Sequence, residues 1–211
     1  MTGAKAVAVL AAAMVAVLLP SCTRTIDDAR AVAGERTATA QADESACTVV
    51  DAPLVTIPTD VGEPVLKLPK PPGWERITEM DSEIVRYTIR NDSLSANAVV
   101  TLESVEGTGD PGEALDLVRE GLLELLGADA DLGITRHSLC GLTAETIEYI
   151  NPGFGQMGPM PAKALDVVLM HEGTTHVASV NILTRSPGDP TYERDLETII
   201  TGFQMLPPSP S

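Results

Sequence analysis

The chain has 211 residues, with 30 acidic against 14 basic side chains and a formal net charge of −16. Such an acidic chain repels phosphate backbones and anionic headgroups, which argues against nucleic-acid binding and against a helix adsorbed on a membrane surface. Aromatic residues make up only 3%, so the core must rest on Leu, Val, Ile and Ala.

The chain start has the pattern of an export signal. Lys5 is the only charged residue before Arg24, and Ala6 to Leu19 is an unbroken apolar run of 14 residues. A membrane-spanning helix needs about 20, whereas a positive start, a short apolar stretch and small residues at its end describe a signal peptide. Leu19-Pro20-Ser21-Cys22 resembles the bacterial lipobox, although Pro20 departs from the small residue usual at that place. The resemblance implies that residues 1–21 are removed and that Cys22 carries a diacylglyceryl group, so the partner at this end is the membrane itself. Two acyl chains hold a soluble domain stably where one holds it only marginally. The alternative is cleavage nearby that releases a soluble protein.

Residues 22–45 are polar and Ala-rich, without a periodic apolar face, and are expected to be a flexible tether. With Cys22 assigned to lipid, Cys47 and Cys140 remain in a chain that meets an oxidising compartment. The economical reading is a disulfide between them, closing a loop of about 94 residues, with on the order of 4 to 5 kcal/mol from chain entropy. Metal binding by two lone cysteines without a CxxC spacing is the poorer alternative.

One domain is expected over residues 46–206, followed by a disordered tail, 207–211. Pro58, Pro64, Pro69, Pro71 and Pro72 punctuate an extended entry that ends at Gly73-Trp74. Val85, Tyr87 and Ile89 alternate with polar residues as in a half-buried strand, and Asn97 to Val105 follows as a second strand after a turn over Asn91 to Ser95. A helix is expected from Pro111 to Leu126, with Leu115, Val118, Leu122 and Leu125 as its core stripe. Strand patterns occupy about Ile134 to Ile150 and Ala164 to Met170, and "HVASVNILT" continues after a turn at Glu172-Gly173-Thr174. Tyr192, Leu196, Ile199, Ile200 and Phe203 then form the cleanest amphipathic helix. A two-residue turn at Gly173-Thr174 sets His171 opposite His176, Leu169 opposite Ala178 and Val167 opposite Val180. Val168, Met170, Val177 and Leu183 occupy the other face. Both faces are apolar, so both must be covered, as in a sheet between helices.

Four constellations bear on chemistry. Gly107-Thr108-Gly109-Asp110-Pro111-Gly112 matches GxGxxG, but Asp110 as N-cap, Pro111 at the first helical position and Glu113 in a capping box explain it as a strand-to-helix turn. No cofactor is expected. His171 and His176, with Glu172 and the distant His137, place only two ligands together where zinc needs three or four, so no metal is expected. No GxSxG, Ser-x-x-Lys or CxxC occurs, so no catalytic residue can be assigned and the chain is not expected to be an enzyme. The loop "NPGFGQMGPMP", Asn151 to Pro161, carries Phe154, Met157 and Met160. Met is adaptable at binding surfaces, so these three are candidates to contact an acyl chain or a partner; the plainer reading folds them back on the sheet.

"VLKLPKPPGW" (Val65 to Trp74), "NAVVTLESVEGTGDPGEAL" (Asn97 to Leu115) and "KALDVVLMHEGTTHVASVNIL" (Lys163 to Leu183) resemble the LpqN/LpqT family of mycobacterial lipoproteins, in order and with similar spacings. The resemblance implies an α+β fold of Mog1/PsbP type, an antiparallel sheet flanked by helices (an α/β/α sandwich) in a single domain. It also implies a non-enzymatic, envelope-anchored protein with a binding or scaffolding role and an envelope protein or a lipid as its partner. A lipid carrier that holds an acyl chain between sheet and helix is one alternative, and a cryptic hydrolase another.

Overall fold

The period-two patterns assemble into two antiparallel sheets, and the two amphipathic segments become helices. In this computed structural model the described residues are 42–107, 109–153 and 158–209. The chain runs through a 3-10 turn (Glu44–Ala46), β1 (Leu54–Ile57), β2 (Val65–Pro69), β3 (Glu75–Ile77), β4 (Val85–Asn91), β5 (Ala96–Glu106) and α1 (Pro111–Leu126). It continues through β6 (Gly133–Leu139), β7 (Leu142–Asn151), β8 (Met160–His171), β9 (Thr174–Thr184), α2 (Pro190–Gly202) and β10 (Gln204–Leu206). The main sheet has the order β3-β4-β5-β9-β8-β7-β6, and a small sheet the order β1-β2-β10. This is the α+β architecture expected, a mostly antiparallel sheet with helices on its two faces.

Both helices start with the same device. Asp110 Oδ1 accepts from the amides of Gly112 (2.7 Å) and Glu113 (3.3 Å), and Asp189 Oδ1 from those of Thr191 (2.8 Å) and Tyr192 (3.2 Å). Each cap is followed by proline, whose missing N–H is no loss in a first turn.

The two faces of the main sheet are covered differently. On one, Ala98, Val100, Leu102, Leu165, Val167, Leu169, Ala178, Val180 and Ile182 are buried together with Leu196, Ile199 and Ile200 of α2 and with Leu66, Leu68 and Met205 of the small sheet. Trp74 and Phe203 complete this core, and Trp74 Nε1 donates to the buried Asp195 at 2.9 Å. Gly202 is needed here: a Cβ would lie 2.5 Å from Val50 and 2.8 Å from Pro69. On the other face α1 packs over β7 and β8, where Ile147, Tyr149, Ala162 and Ala164 meet Leu122, Leu126, Leu132 and Leu183.

Several expectations are corrected. The segment Ile134 to Ile150 is a hairpin, broken at Cys140-Gly141, where φ is 51° and 82°. The β8–β9 hairpin turns at Glu172-Gly173, with φ of 48° and 84°. Positive φ at both central residues is the type I′ signature that suits strand twist, and Gly fits it where the β-branched Thr174 does not. His171 therefore pairs with Thr174, Leu169 with His176 and Val167 with Ala178. The slip is two residues, so every side chain keeps its expected face. The proline-rich entry holds β1 and β2, paired with each other, and the remote β10 joins them.

Cys47 and Cys140 are joined, with an S–S distance of 2.06 Å. Asp43 N donates to Cys140 O at 3.0 Å, and Ala42 packs against the core, so the chain has joined the domain ahead of residue 46. Among the described residues no helix is long and apolar enough to cross a membrane.

Candidate functional site

The expected core stripe of α1 is not a packed stripe. Leu115 alone is fully buried; Val118 and Leu122 are half-buried, and Leu125 is 61% exposed, as is Leu117 at 67%. The cause is the helix position. α1 covers β7 and β8 but leaves the same face of β5 and β9 uncovered, so Val99, Thr101, Val177, Ser179 and Asn181 stay half-exposed. A cavity of about 890 Å³ lies between helix and sheet. It runs from Val105 and Glu106 at the α1 start to Tyr149, Asn151 and Leu183 below its end, and its walls are mainly aliphatic. That volume is within the usual range for small-molecule pockets, about 300 to 1,000 Å³.

A polar row crosses this apolar face. Successive cross-strand partners are Thr101, Ser179, Asp166, Glu145 and Arg136, on β5, β9, β8, β7 and β6. Glu145 is fully buried and has cationic neighbours: Arg119 Nε of α1 lies 3.0 Å from one oxygen, and Arg136 Nε 3.5 Å from the other. Both arginines also reach Asp116, Arg136 at 2.8 Å. Asp166 has no such support. It is 2% exposed, takes one hydrogen bond from Ser179 Oγ on Oδ1, and leaves Oδ2 without a partner. Burial pushes its carboxyl up to about 6; the Ser179 hydrogen bond opposes the rise and Glu145 adds to it. Burial, and then Asp166, push the Tyr149 phenol up as well. Tyr149 stays a neutral donor, to Asn181 Oδ1 at 3.3 Å.

The fold is similar to that of LpqN from Mycobacterium tuberculosis. The TM-score is 0.58 at 19% identity, over 74% of this chain and 91% of that one, and LpqN is described as involved in cell envelope biogenesis. The alignment shows a shared fold. Cyanobacterial PsbP (CyanoP) from Synechocystis sp. PCC 6803 aligns with TM-score 0.47 and 15% identity over 75% of this chain and 97% of its own. A variant of the protein Mog1 gives 0.43 and 12% over 74% and 97%; at these scores neither alignment adds to the fold assignment. No family model matches the chain, and no curated relative does.

The residues singled out from sequence fall unevenly around this site. Met160 opens β8 opposite Asn151, which lines the lower end of the cavity; Met160 itself is not among the lining residues. Phe154, Met157, Thr108 and Cys22 lie outside the described residues. His171 and His176 are diagonal rather than opposite. His176 is buried and shares a 2.8 Å hydrogen bond with Ser104 Oγ; burial pushes its imidazole down, opposed by Glu63 and aided by His171. Glu63 itself is held by Arg86 at 2.6 Å and by the amide of Asp60 at 2.8 Å. Among the described residues no group of three or more His, Cys, Asp or Glu is placed to hold a metal ion. The residues that sequence reasoning missed are Asp166, Ser179 and Thr101. The signal was present as a polar pair, Asp166 and Ser179, interrupting two otherwise apolar strands.

Proposed function

We propose that the chain is a non-enzymatic envelope lipoprotein, anchored through Cys22, whose domain binds an acyl chain between α1 and the main sheet. The cavity carries this reading. Its aliphatic walls, and the exposure of Leu117, Leu125 and Val105 (66%) at its mouth, leave apolar surface that a hydrocarbon chain would cover. Each methylene buried there contributes about 0.8 kcal/mol. The envelope assignment rests on the export signal and on the likeness to LpqN. The aliphatic volume between helix and sheet suits a hydrocarbon chain, so the carrier reading is preferred over a purely scaffolding one.

The test is native mass spectrometry of the full chain extracted from membranes. Wild type is expected to retain lipid, and Val177→Trp, which fills the open strip over β9, to lose it. Ile84→Trp, on an exposed residue away from the cavity, should keep it. Equal lipid retention in both variants would overturn the reading. The anchor is checked on the same sample: an acylated chain beginning at Cys22 is expected, and Cys22→Ala should abolish the acylated species.

A further inference from the structure

The charge of the cavity selects a head group. Among the described residues the lining holds five carboxylates, Glu103, Glu106, Asp110, Glu113 and Asp166, and no Lys, Arg or His. The nearby cations are engaged elsewhere: Arg119 and Arg136 with Glu145 and Asp116, and Lys163 with Glu148 at 2.7 Å. An acid head placed here meets negative charge with no counter-ion.

The polar row gives the complementary observation. Ser179 spends its only hydrogen on Asp166, so its oxygen offers the cavity lone pairs alone. Behind it Asp166 is buried with one oxygen unpartnered, an arrangement that costs free energy until a donor or a cation approaches. Thr101 lies directly across from Ser179, on the cavity wall.

Resting on the acyl-chain reading above, we propose that the cavity takes a single-chain amphiphile whose head group donates hydrogen bonds and bears no negative charge, received at Ser179 backed by Asp166. Fatty-acid carboxylates and lipid phosphates are excluded. A hydroxylated head and an ammonium head share the required donor chemistry.

Delipidated full chain at pH 7.5 is titrated calorimetrically with four probes of one chain length: monolauroylglycerol, dodecylamine, dodecanoate and dodecyl phosphate. The glyceride, the amine or both should bind roughly tenfold or more tightly than the two anions, the scale of one unit charge at several ångströms between water and protein interior. Which of the two binds identifies the donor used. Asp166→Asn, near in shape and still able to accept from Ser179, should narrow the gap by strengthening dodecanoate. Glu103→Gln with Glu113→Gln, both exposed, narrows it less and does not disturb folding. Anions that bind wild type as tightly as the glyceride overturn the head-group proposal while leaving the acyl-chain reading intact. An unchanged gap in Asp166→Asn overturns the role of Asp166 and Ser179. Failure of all four probes to bind overturns both readings.

Discussion

Along β5 and β9, neighbouring residues of one strand live in different surroundings. Ala98, Val100, Ala178 and Val180 are fully buried under α2 and the small sheet, while Val99, Thr101, Ser179 and Asn181, one step along, line a cavity half open to solvent. The first face is closed by three kinds of element, helix, second sheet and disulfide. The second is closed by one helix set to one side. Stability is therefore concentrated on one side of the sheet, and open apolar surface is left on the other. A protein has only a narrow margin of stability, and here the packed face supplies it so that the other can stay unfilled.

That division can be broken from the packed side first. Replacing both cysteines, Cys47→Ser with Cys140→Ser, removes a link across 93 residues and is expected to cost about 4 to 5 kcal/mol on the chain-entropy account. A guanidinium unfolding curve reads it directly. Next comes Ile199→Ala, which empties a fully buried site of α2 and should cost about 2 to 5 kcal/mol. If either variant unfolds within about 0.5 kcal/mol of wild type, the packed face is not where stability lies.

How much of this was legible beforehand follows the same division. The packed face announced itself through apolar alternation in β4, β5, β8 and β9 and through the Tyr192 to Phe203 stripe, because burial is what periodicity reports. The pairing of β1 and β2 with β10 was hidden, since contacts between the chain's two ends leave no local trace. The hairpin register was missed by two residues because turn conformation, not hydrophobicity, decides it. The candidate site was hidden for a different reason. Val118, Leu122 and Leu125 have the pattern of core residues, and sequence does not say whether a helix sits squarely over a sheet or beside its middle.

The open face should respond to charge. Asp166, at the base of the polar row, is raised from 3.8 to about 6 in the fold. A carboxyl raised in this way contributes stability that is fully present below about pH 4 and is lost as pH rises through 6. Asp166→Asn removes the ionisation, so at pH 7 the variant should be more stable than wild type by on the order of 2 to 3 kcal/mol. Near pH 4 the two should converge. Near this carboxyl are Ser179, Glu145 and Tyr149, with Arg119 and Arg136 behind Glu145; taking the difference between variant and wild type cancels the many other carboxylates. A variant less stable than wild type at pH 7, with the deficit closing as pH falls, would show that Asp166 has a cationic partner in solution.

The smallest effect on stability is the sharpest test of the comparison. Leu117 and Leu125 are the two exposed leucines of α1 that line the cavity. Their double replacement, Leu117→Ala with Leu125→Ala, removes apolar surface that already meets water and substitutes the best helix former. Unfolding free energy should change by about 0.5 kcal/mol or less, as for surface positions generally. Affinity for a dodecyl amphiphile should nevertheless fall, because each side chain gives up hydrocarbon contact worth about 0.8 kcal/mol per methylene covered. If the variant instead loses as much stability as Ile199→Ala, then α1 closes down on β5 and β9 in solution, the cavity fills with the protein's own side chains, and the two faces of the sheet are alike after all.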